Sequence, residues 1–478
     1  MTDRTGKAWV ALALALALAG CDESAAPGGG SAAGGDTPGA GGDQAGAGDA
    51  GGAGPGGNTP GDGGAPTLGG APGSGGSPPT DCGDPKVLCV GGPDGEYADL
   101  QAAADAAQPG DTVVAADGNY AGFEIDQGGT EEAPIVFYAI GNAVIDSDGP
   151  TGDGIRIQNA SHIRIEGFTI TGPTERCIAA RGATPEAPML RLDIRNNDCS
   201  LAGHEGFYLS EAAVSNIEGN TISQSGQDGQ PRGHGIYLAN AGSDGTVLRR
   251  NHIFDLPADE SAGIHFNGDL SVGGDGIIEG LTVDGNVIHD LGHNALNMDG
   301  VQSSTIMNNV IYGIAAHAIR GYAIDAAEGP SGLVVMNNTI DLPTNGRAPL
   351  KLTEDGGGHI VFNNVLLTAS SANGSIMVES SANLESANNA VVNRFSFDGD
   401  DGIVTLATWQ AAGLDEGSFV ATASLFVSPG NDYGLSASAN AVDAGLDSFQ
   451  GANAPASDAD GTSRPVGAGI DIGAYESH

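Results

Sequence analysis

Positive charge is scarce in this chain. Lys and Arg number 17 against 60 Asp and Glu, which gives a formal charge of −43. A field of that sign repels nucleic acid, and it repels polyanionic sugars unless cations or local basic residues intervene. Aromatics are only 5% of the residues and two are Trp, whereas Gly numbers 80. That balance argues against a conventional packed globule and for many turns. The signatures of common cofactor and nucleophile chemistry are missing: there is no GxSxG, P-loop or dinucleotide fingerprint. No HExxH or His-x-x-His spacing is present either, so no zinc site is expected.

One long apolar run stands apart, Ala8 to Ala19, preceded by Arg4 and Lys7. It is too short to span a membrane as a mature helix and has the layout of a secretory signal. It ends in "LAGC", Leu18 to Cys21, which resembles the lipobox of bacterial lipoproteins. The resemblance implies that Cys21 is lipidated and becomes the new N-terminus; the alternative is ordinary cleavage with a free Cys21. From Asp22 to about Thr80 the chain is nearly all Gly, Ala, Ser, Pro and scattered Asp. Such a composition buries too little apolar surface to offset chain entropy, so a disordered tether is expected. With Cys21 set aside, Cys82, Cys89, Cys177 and Cys199 remain. An even number in an exported chain suggests two disulfides in one of three connectivities, with the local pairs Cys82–Cys89 and Cys177–Cys199 preferred. Cys199 falls in an inward strand slot, so a buried unpaired thiol is the other reading.

The rest of the chain repeats. A short apolar run, a loop and a second run followed by asparagine recur, as in "GIYLANAGSDGTVLRRNHIF". The asparagines fall at 197, 220, 251, 286, 309, 338, 364 and 389, with gaps of 23, 31, 35, 23, 29, 26 and 25 residues. A floor near 23 with variable excess describes a fixed turn of chain carrying loops of free length, which is a solenoid. Three short alternating runs per repeat predict three parallel sheets around one core. The expected fold is therefore all-β, a right-handed parallel β-helix with coils about 4.8 Å apart; the denser Leu pattern of leucine-rich repeats is absent. Asparagine suits the tight turn because it tolerates the left-handed conformation and its amide can bond the equivalents above and below. Leu100, Ala103, Ala104 and Ala107 share one helical face before Pro109 and Gly110, which predicts a helix capping the open N-terminal end. The expected organisation is a signal over 1–21, a tether over 22–81, the β-helix over 82–401 and a completing or capping segment over 402–478.

Alternation places the middle residue of runs such as "GIYL" outward. Coil by coil that slot reads Arg156, Ala179, Tyr208, Tyr237, His265, Asn297, Arg320, Lys351 and Met377. The next outward slot reads Gln158, Arg181, Ser210, Ala239, Asn267, Asp299, Tyr322, Thr353 and Glu379. The stretch from Tyr208 to Lys351 spans about 24 Å, a length suited to an oligosaccharide. Aromatics there would offer stacking surfaces, and His, Arg and Lys would offer donors to hydroxyls or carboxylates. Tyr208, Tyr237, Asn297, Asp299 and Tyr322 are the expected substrate-binding residues, and Lys351, Arg320 and His265 the expected catalytic ones. An arginine beside Lys351 would disfavour its ammonium and make it a base, with Arg320 as carboxylate clamp or acid. His204, His234, His293 and His317 each precede the same strand; a His at a strand entry more often bonds backbone than substrate. Ca²⁺ is the one cofactor to consider, through "DGDDG" (398–402) or "DADG" (458–461), although ordinary acidic turns explain both.

"DLQAAADAAQPGDTVVAADGNY", "GTEEAPIVFYA" and the closing "DADGTSRPVGAGIDIGAYE" resemble segments of the bacterial right-handed β-helix proteins, a group that includes proteins similar to chondroitinase B and alginate lyase. The closing segment is similar to the one called choice-of-anchor Q. The likeness covers roughly Cys82 to His478 and implies an extracytoplasmic protein acting on polysaccharide, as a lyase or epimerase of uronate polymers or as a non-catalytic glycan-binding protein. Chondroitinase B-like lyases place a Lys before an Arg on neighbouring coils; here Arg320 precedes Lys351. The expected partners are a polysaccharide and a bacterial membrane reached through the lipid anchor only, on the cell surface or in the periplasm. A monomer is expected, and no nucleic acid.

Overall fold

The computed structural model describes residues 77–229, 233–257, 260–379, 384–400 and 402–477. The signal, Cys21 and the tether through residue 76 lie outside the described residues.

Each coil contributes one short strand to each of three 12-stranded sheets. The first sheet runs from Val87–Val90 to Leu384–Ala387, the second from Gly118–Ala121 to Phe419–Val420, and the third from Phe123–Ile125 to Ile403–Val404. Pairing is parallel throughout until the final pair of the third sheet, Phe395–Ser396 with Ile403–Val404, which is antiparallel. The right-handed parallel β-helix is thus the fold.

Alternation is what selects it. In the first sheet Ile165, Ile194, Ile217, Leu248, Val283, Ile306, Val335 and Val361 stand in register on successive coils. All are buried, each contributing about 1.5–3 kcal/mol of burial. A single slip in register would turn this whole row to solvent.

Both ends of the tube are covered. Helix Leu100–Ala106 begins at Asp99, whose side chain accepts the Ala102 N–H, and it buries Leu100, Ala103 and Ala104 on the first coils. At the far end helix Leu406–Ala411 buries Leu406 and Trp409. The Trp409 indole stacks between Phe395 at 4.9 Å and Phe397 at 4.4 Å. The C-terminal segment then runs back along the side of the tube, where Leu425, Phe426, Tyr433, Leu435, Ile472 and Ala474 pack on Val287, Val310, Val365 and Leu367 of the second sheet.

The asparagines form one continuous ladder inside the turn between the first and second sheets. Nδ2 of each donates to Oδ1 of the next: Asn197 to Asn220 at 3.1 Å, Asn220 to Asn251 at 2.9 Å, Asn251 to Asn286 at 3.0 Å, and Asn286 to Asn309 at 2.9 Å. It continues through Asn338 and Asn364 to Asn389. There Asn389 donates to Asp415 Oδ1 at 2.8 Å, a buried carboxylate also held by Trp409 Nε1 and the hydroxyls of Ser386 and Ser418. One sequence expectation is corrected. The left-handed residue is the one before each ladder asparagine, as in Asn196, Arg250, Asn308, Asn337, Asn363 and Asn388. The ladder residue is selected for its amide, whose donor and acceptor both find partners in the coil stack, and its neighbour takes the strained turn.

The structure pairs Cys82 with Cys89 and Cys177 with Cys199. Cys199 is inward-facing as its strand slot implies, but it is bridged, so the disulfide reading holds and the unpaired thiol does not.

Candidate functional site

Strand pairing in the third sheet aligns Tyr208 with Tyr237, Tyr237 with His265, His265 with Asn297, Asn297 with Arg320, and Arg320 with Lys351. Ser210, Ala239, Asn267, Asp299 and Tyr322 align beside them. Although this column faces away from the core, its middle is sheltered: His265 is 6% exposed, Asn297 4% and Tyr322 5%.

Ring stacking departs from expectation. Coils repeat at a distance close to that of stacked rings, so aromatics on adjacent coils take up one another's faces. His265 stacks on Tyr237 at 4.8 Å, and Tyr208 meets Tyr237 edge-on at 5.4 Å. The guanidiniums of Arg181 and Arg176 lie 4.5 and 5.0 Å from the Tyr208 ring. Arg176 is itself held by Glu205 at 2.7 Å and Glu175 at 2.9 Å. The rings of Tyr208 and Tyr237 are thus each in contact with neighbouring rings or guanidiniums and are not the open stacking platforms expected of them.

The middle of the column is a connected polar network. His234 Nδ1 accepts the Ala262 N–H at 3.0 Å, which places the His234 proton on Nε2, 3.1 Å from His265 Nδ1. His265 then accepts at Nδ1 and carries its own proton on Nε2. Burial, followed by the neighbouring His293, pushes His265 down to about 3. Burial, then His265 and His293, holds His234 well below the usual imidazole range. The pair is neutral at physiological pH, and His265 serves as a donor because His234 occupies its lone pair. Asn267 Nδ2 donates to the Tyr237 hydroxyl at 3.1 Å, and Asn297 Nδ2 to the Tyr322 hydroxyl at 2.7 Å. Asn294 orients Asn297 by donating to its Oδ1 at 2.9 Å.

The cationic end differs from expectation in one respect. Arg320 and Lys351 are adjacent as read from the sequence, and the Arg320 guanidinium lies 4.7 Å from the Tyr322 ring. Lys351 Nζ, however, is 2.8 Å from Asp400 Oδ1. Asp400 lies between Phe395–Ser396 and Ile403–Val404, the antiparallel pair that ends the third sheet, out of the repeat, and no column reading of the sequence could place it. His317 lies beside this end; burial first, then Lys351, Arg320 and Arg347, hold it well below the usual imidazole range, and its Nδ1 accepts the Ala348 N–H at 3.2 Å.

Asp299 takes a different role from the one expected. Its carboxylate accepts the N–H groups of Ile324 at 2.9 Å, Asp325 at 2.8 Å and Ala326 at 3.3 Å. Burial nonetheless outweighs these bonds and holds it above the usual carboxylate range. It fixes the turn after Tyr322, and Leu270 N bonds Asp325 O at 3.0 Å so that the loop after Asn267 joins the same wall.

His204 is held by Glu175 at 3.1 Å and Asp228 at 2.8 Å, so it too is engaged away from the column. The acidic turns close on themselves: Asp398 Oδ1 accepts the N–H groups of Asp400 and Gly402, and Asp458 Oδ1 those of Asp460 and Thr462. Among the described residues no group of three or more His, Cys, Asp or Glu side chains is placed to hold a metal ion.

Residues 140–340 match the family model described as right handed beta helix region. Among solved structures the chain is similar to pectate lyase Pel9A, at 16% identity and a TM-score of 0.54, over 79% of this chain and 90% of that one. It is also similar to an alginate lyase from Paenibacillus sp. str. FPU-7, at 18% identity and a TM-score of 0.39, over 66% of this chain and 99% of that one. At these identities the likeness is one of fold. No curated protein sequence matches.

Proposed function

We propose that the outer face of the third sheet is a polysaccharide groove, and that the protein is a lipid-anchored, extracytoplasmic enzyme acting on a uronate polymer as a lyase or epimerase. The observation that carries this reading is the in-register row from Tyr208 to Lys351, whose central members His265 and Asn297 are hydrogen-bonded to His234 and Tyr322 beside the row. Convergence within hydrogen-bonding reach is what chemistry requires, whereas a display surface has no need of it.

Elimination and epimerisation share a first step. A base removes the proton on the carbon bearing the carboxylate, and the resulting charge is delocalised into that carboxylate. Arg320 is assigned to neutralise the carboxylate and Lys351 to take the proton, which requires Lys351 to lose its proton and leave Asp400 on substrate binding. For a lyase the electron pair then forms the ring double bond as the bond to the leaving glycosidic oxygen breaks, and that oxygen takes up the proton Lys351 has accepted. For an epimerase Lys351 keeps the proton it took, and a donor on the opposite face of the ring, such as water, supplies a proton to the same carbon. His265, with its proton on Nε2, and the Tyr237 and Tyr322 hydroxyls supply donors to sugar oxygens. The two acidic turns make Ca²⁺ worth including in assays as a bridge between an anionic polymer and an acidic protein.

A second reading, binding without catalysis, is favoured by the Lys351–Asp400 ion pair, since a lysine held as an ammonium is not a base. A panel of alginate, chondroitin, pectate and neutral glycans separates the two. Retention of a uronate polymer with formation of new unsaturated ends or altered uronate stereochemistry supports the enzyme; retention with neither supports the binding protein; no retention of any glycan removes both.

A further inference from the structure

A second cluster lies on the outer face of the second sheet, apart from the groove. His252 opens strand His252–Leu256 and His289 sits within Val287–Leu291 on the next coil, one step diagonal to it. Their Nε2 atoms are 2.8 Å apart. Both rings are packed in place. His252 stacks on Phe254 at 4.5 Å, and His289 lies between Phe254 at 5.2 Å and Tyr312 at 4.6 Å, nearly parallel to both. Tyr312 in turn packs at 4.8 Å on Tyr433 of the C-terminal segment. On its other side His289 Nδ1 is 2.8 Å from Asp290 Oδ2.

These contacts determine what the pair can bind. The carboxylate of Asp290 keeps the proton of neutral His289 on Nδ1 and leaves the Nε2 lone pair aimed at His252. At this distance one of the two nitrogens carries the proton between them, here Nε2 of His252; when His252 changes tautomer and carries that proton on Nδ1, both Nε2 lone pairs are free to face one ion. A metal ion ligated by two imidazoles at about 2.0–2.1 Å, with tetrahedral to square geometry, holds its nitrogens roughly 2.9–3.3 Å apart. The rings need open by only a few tenths of an ångström to reach that spacing. A carboxylate on the far nitrogen of a ligating histidine is the arrangement that fixes tautomer and orientation in metal sites.

We propose that His252 and His289 form a site for a divalent transition cation of the Zn²⁺ or Cu²⁺ class, bound through the two Nε2 atoms with water completing the coordination and Asp290 holding His289 in position. Imidazole ligands favour these ions over Ca²⁺ and Mg²⁺, which take oxygen. The site clips two adjacent coils together at the place where the aromatic stack reaches the C-terminal segment.

The test is isothermal titration of the metal-stripped full chain with ZnCl₂ and CuCl₂, with CaCl₂ for comparison, on wild type, His252→Gln, His289→Gln and Asp290→Asn, each checked for native circular dichroism. The expected result is one equivalent of Zn²⁺ or Cu²⁺ on wild type, loss in either histidine variant, and about 10-fold or more weakening in Asp290→Asn. For bound Cu²⁺, spin-resonance hyperfine structure should report two nitrogen ligands. Absence of binding by wild type, or binding that His252→Gln leaves unchanged, would overturn the proposal and leave the pair as a hydrogen bond.

Discussion

Lys351 Nζ and Asp400 Oδ1 are 2.8 Å apart, and they join the last coils of the repeat to a residue that lies outside it. On the proposed mechanism this contact restrains the base. Asp400→Asn should therefore raise the elimination or epimerisation rate, and Lys351→Ala should lower it by about 10²–10⁴, the usual range for loss of a general base. Initial rates on the best uronate polymer check both; a rate that falls in Asp400→Asn would mean that the ion pair positions Lys351 and does not restrain it.

The ladder makes a claim about stability. Asn309 is buried, donates to Asn338 Oδ1 and to the Val283 carbonyl, both at 2.9 Å, and accepts from Asn286 at Oδ1. Replacing it with Ala removes these bonds and leaves partners on two coils unsatisfied, at a cost of about 1–3 kcal/mol. Urea denaturation measures it, and a loss under about 0.5 kcal/mol would make the ladder ornamental.

The fold was legible because its signal repeats. One strand is ambiguous, but eight ladder asparagines at gaps of 23 to 35 residues admit few other architectures. The outward column was legible for the same reason, since the position of Tyr237 in its strand determines that of His265 in the next. What repetition cannot encode was missed. Asp400 enters from a non-repeating turn, the faces of Tyr208 and Tyr237 are covered by neighbours that only packing reveals, and Asp299 bonds a loop of irregular length. The row Phe254, His289 and Tyr312 on the second sheet is also written in the repeat: the residues that follow each ladder asparagine, in "HIF", "VIHDL" and "VIYGI", line those rings up.

Stability should depend on pH through the buried imidazoles. His265 is pushed down to about 3 in the folded protein, and His234 also lies well below its ordinary value, whereas unfolded histidines titrate near about 6.5. Below that pH the unfolded chain binds more protons, so their contribution is complete above about 6.5 and is lost as pH falls toward about 3. Thermal denaturation between about pH 8 and about pH 4 should show this loss, with a shallower dependence in His265→Gln. Identical slopes for the two proteins would contradict a neutral His234–His265 pair.

Anchoring depends on one residue outside the described structure. If Cys21 carries lipid, Cys21→Ser should move the protein from the membrane fraction to the soluble fraction of the producing cell. Unchanged sedimentation with membranes would remove the lipoprotein assignment.

The most direct test of the account is release of ultraviolet-absorbing unsaturated uronate ends from alginate, chondroitin and pectate, with and without Ca²⁺, together with proton exchange at the carbon bearing the carboxylate. Wild type should produce one of these signals on at least one polymer; Lys351→Ala should lower it by about 10²–10⁴ with fold and glycan retention intact, and Arg320→Ala should lower it with the fold intact. Activity that survives both substitutions, or a wild-type protein that retains a uronate polymer and changes no bond in it, would contradict the assignment of catalysis to this face.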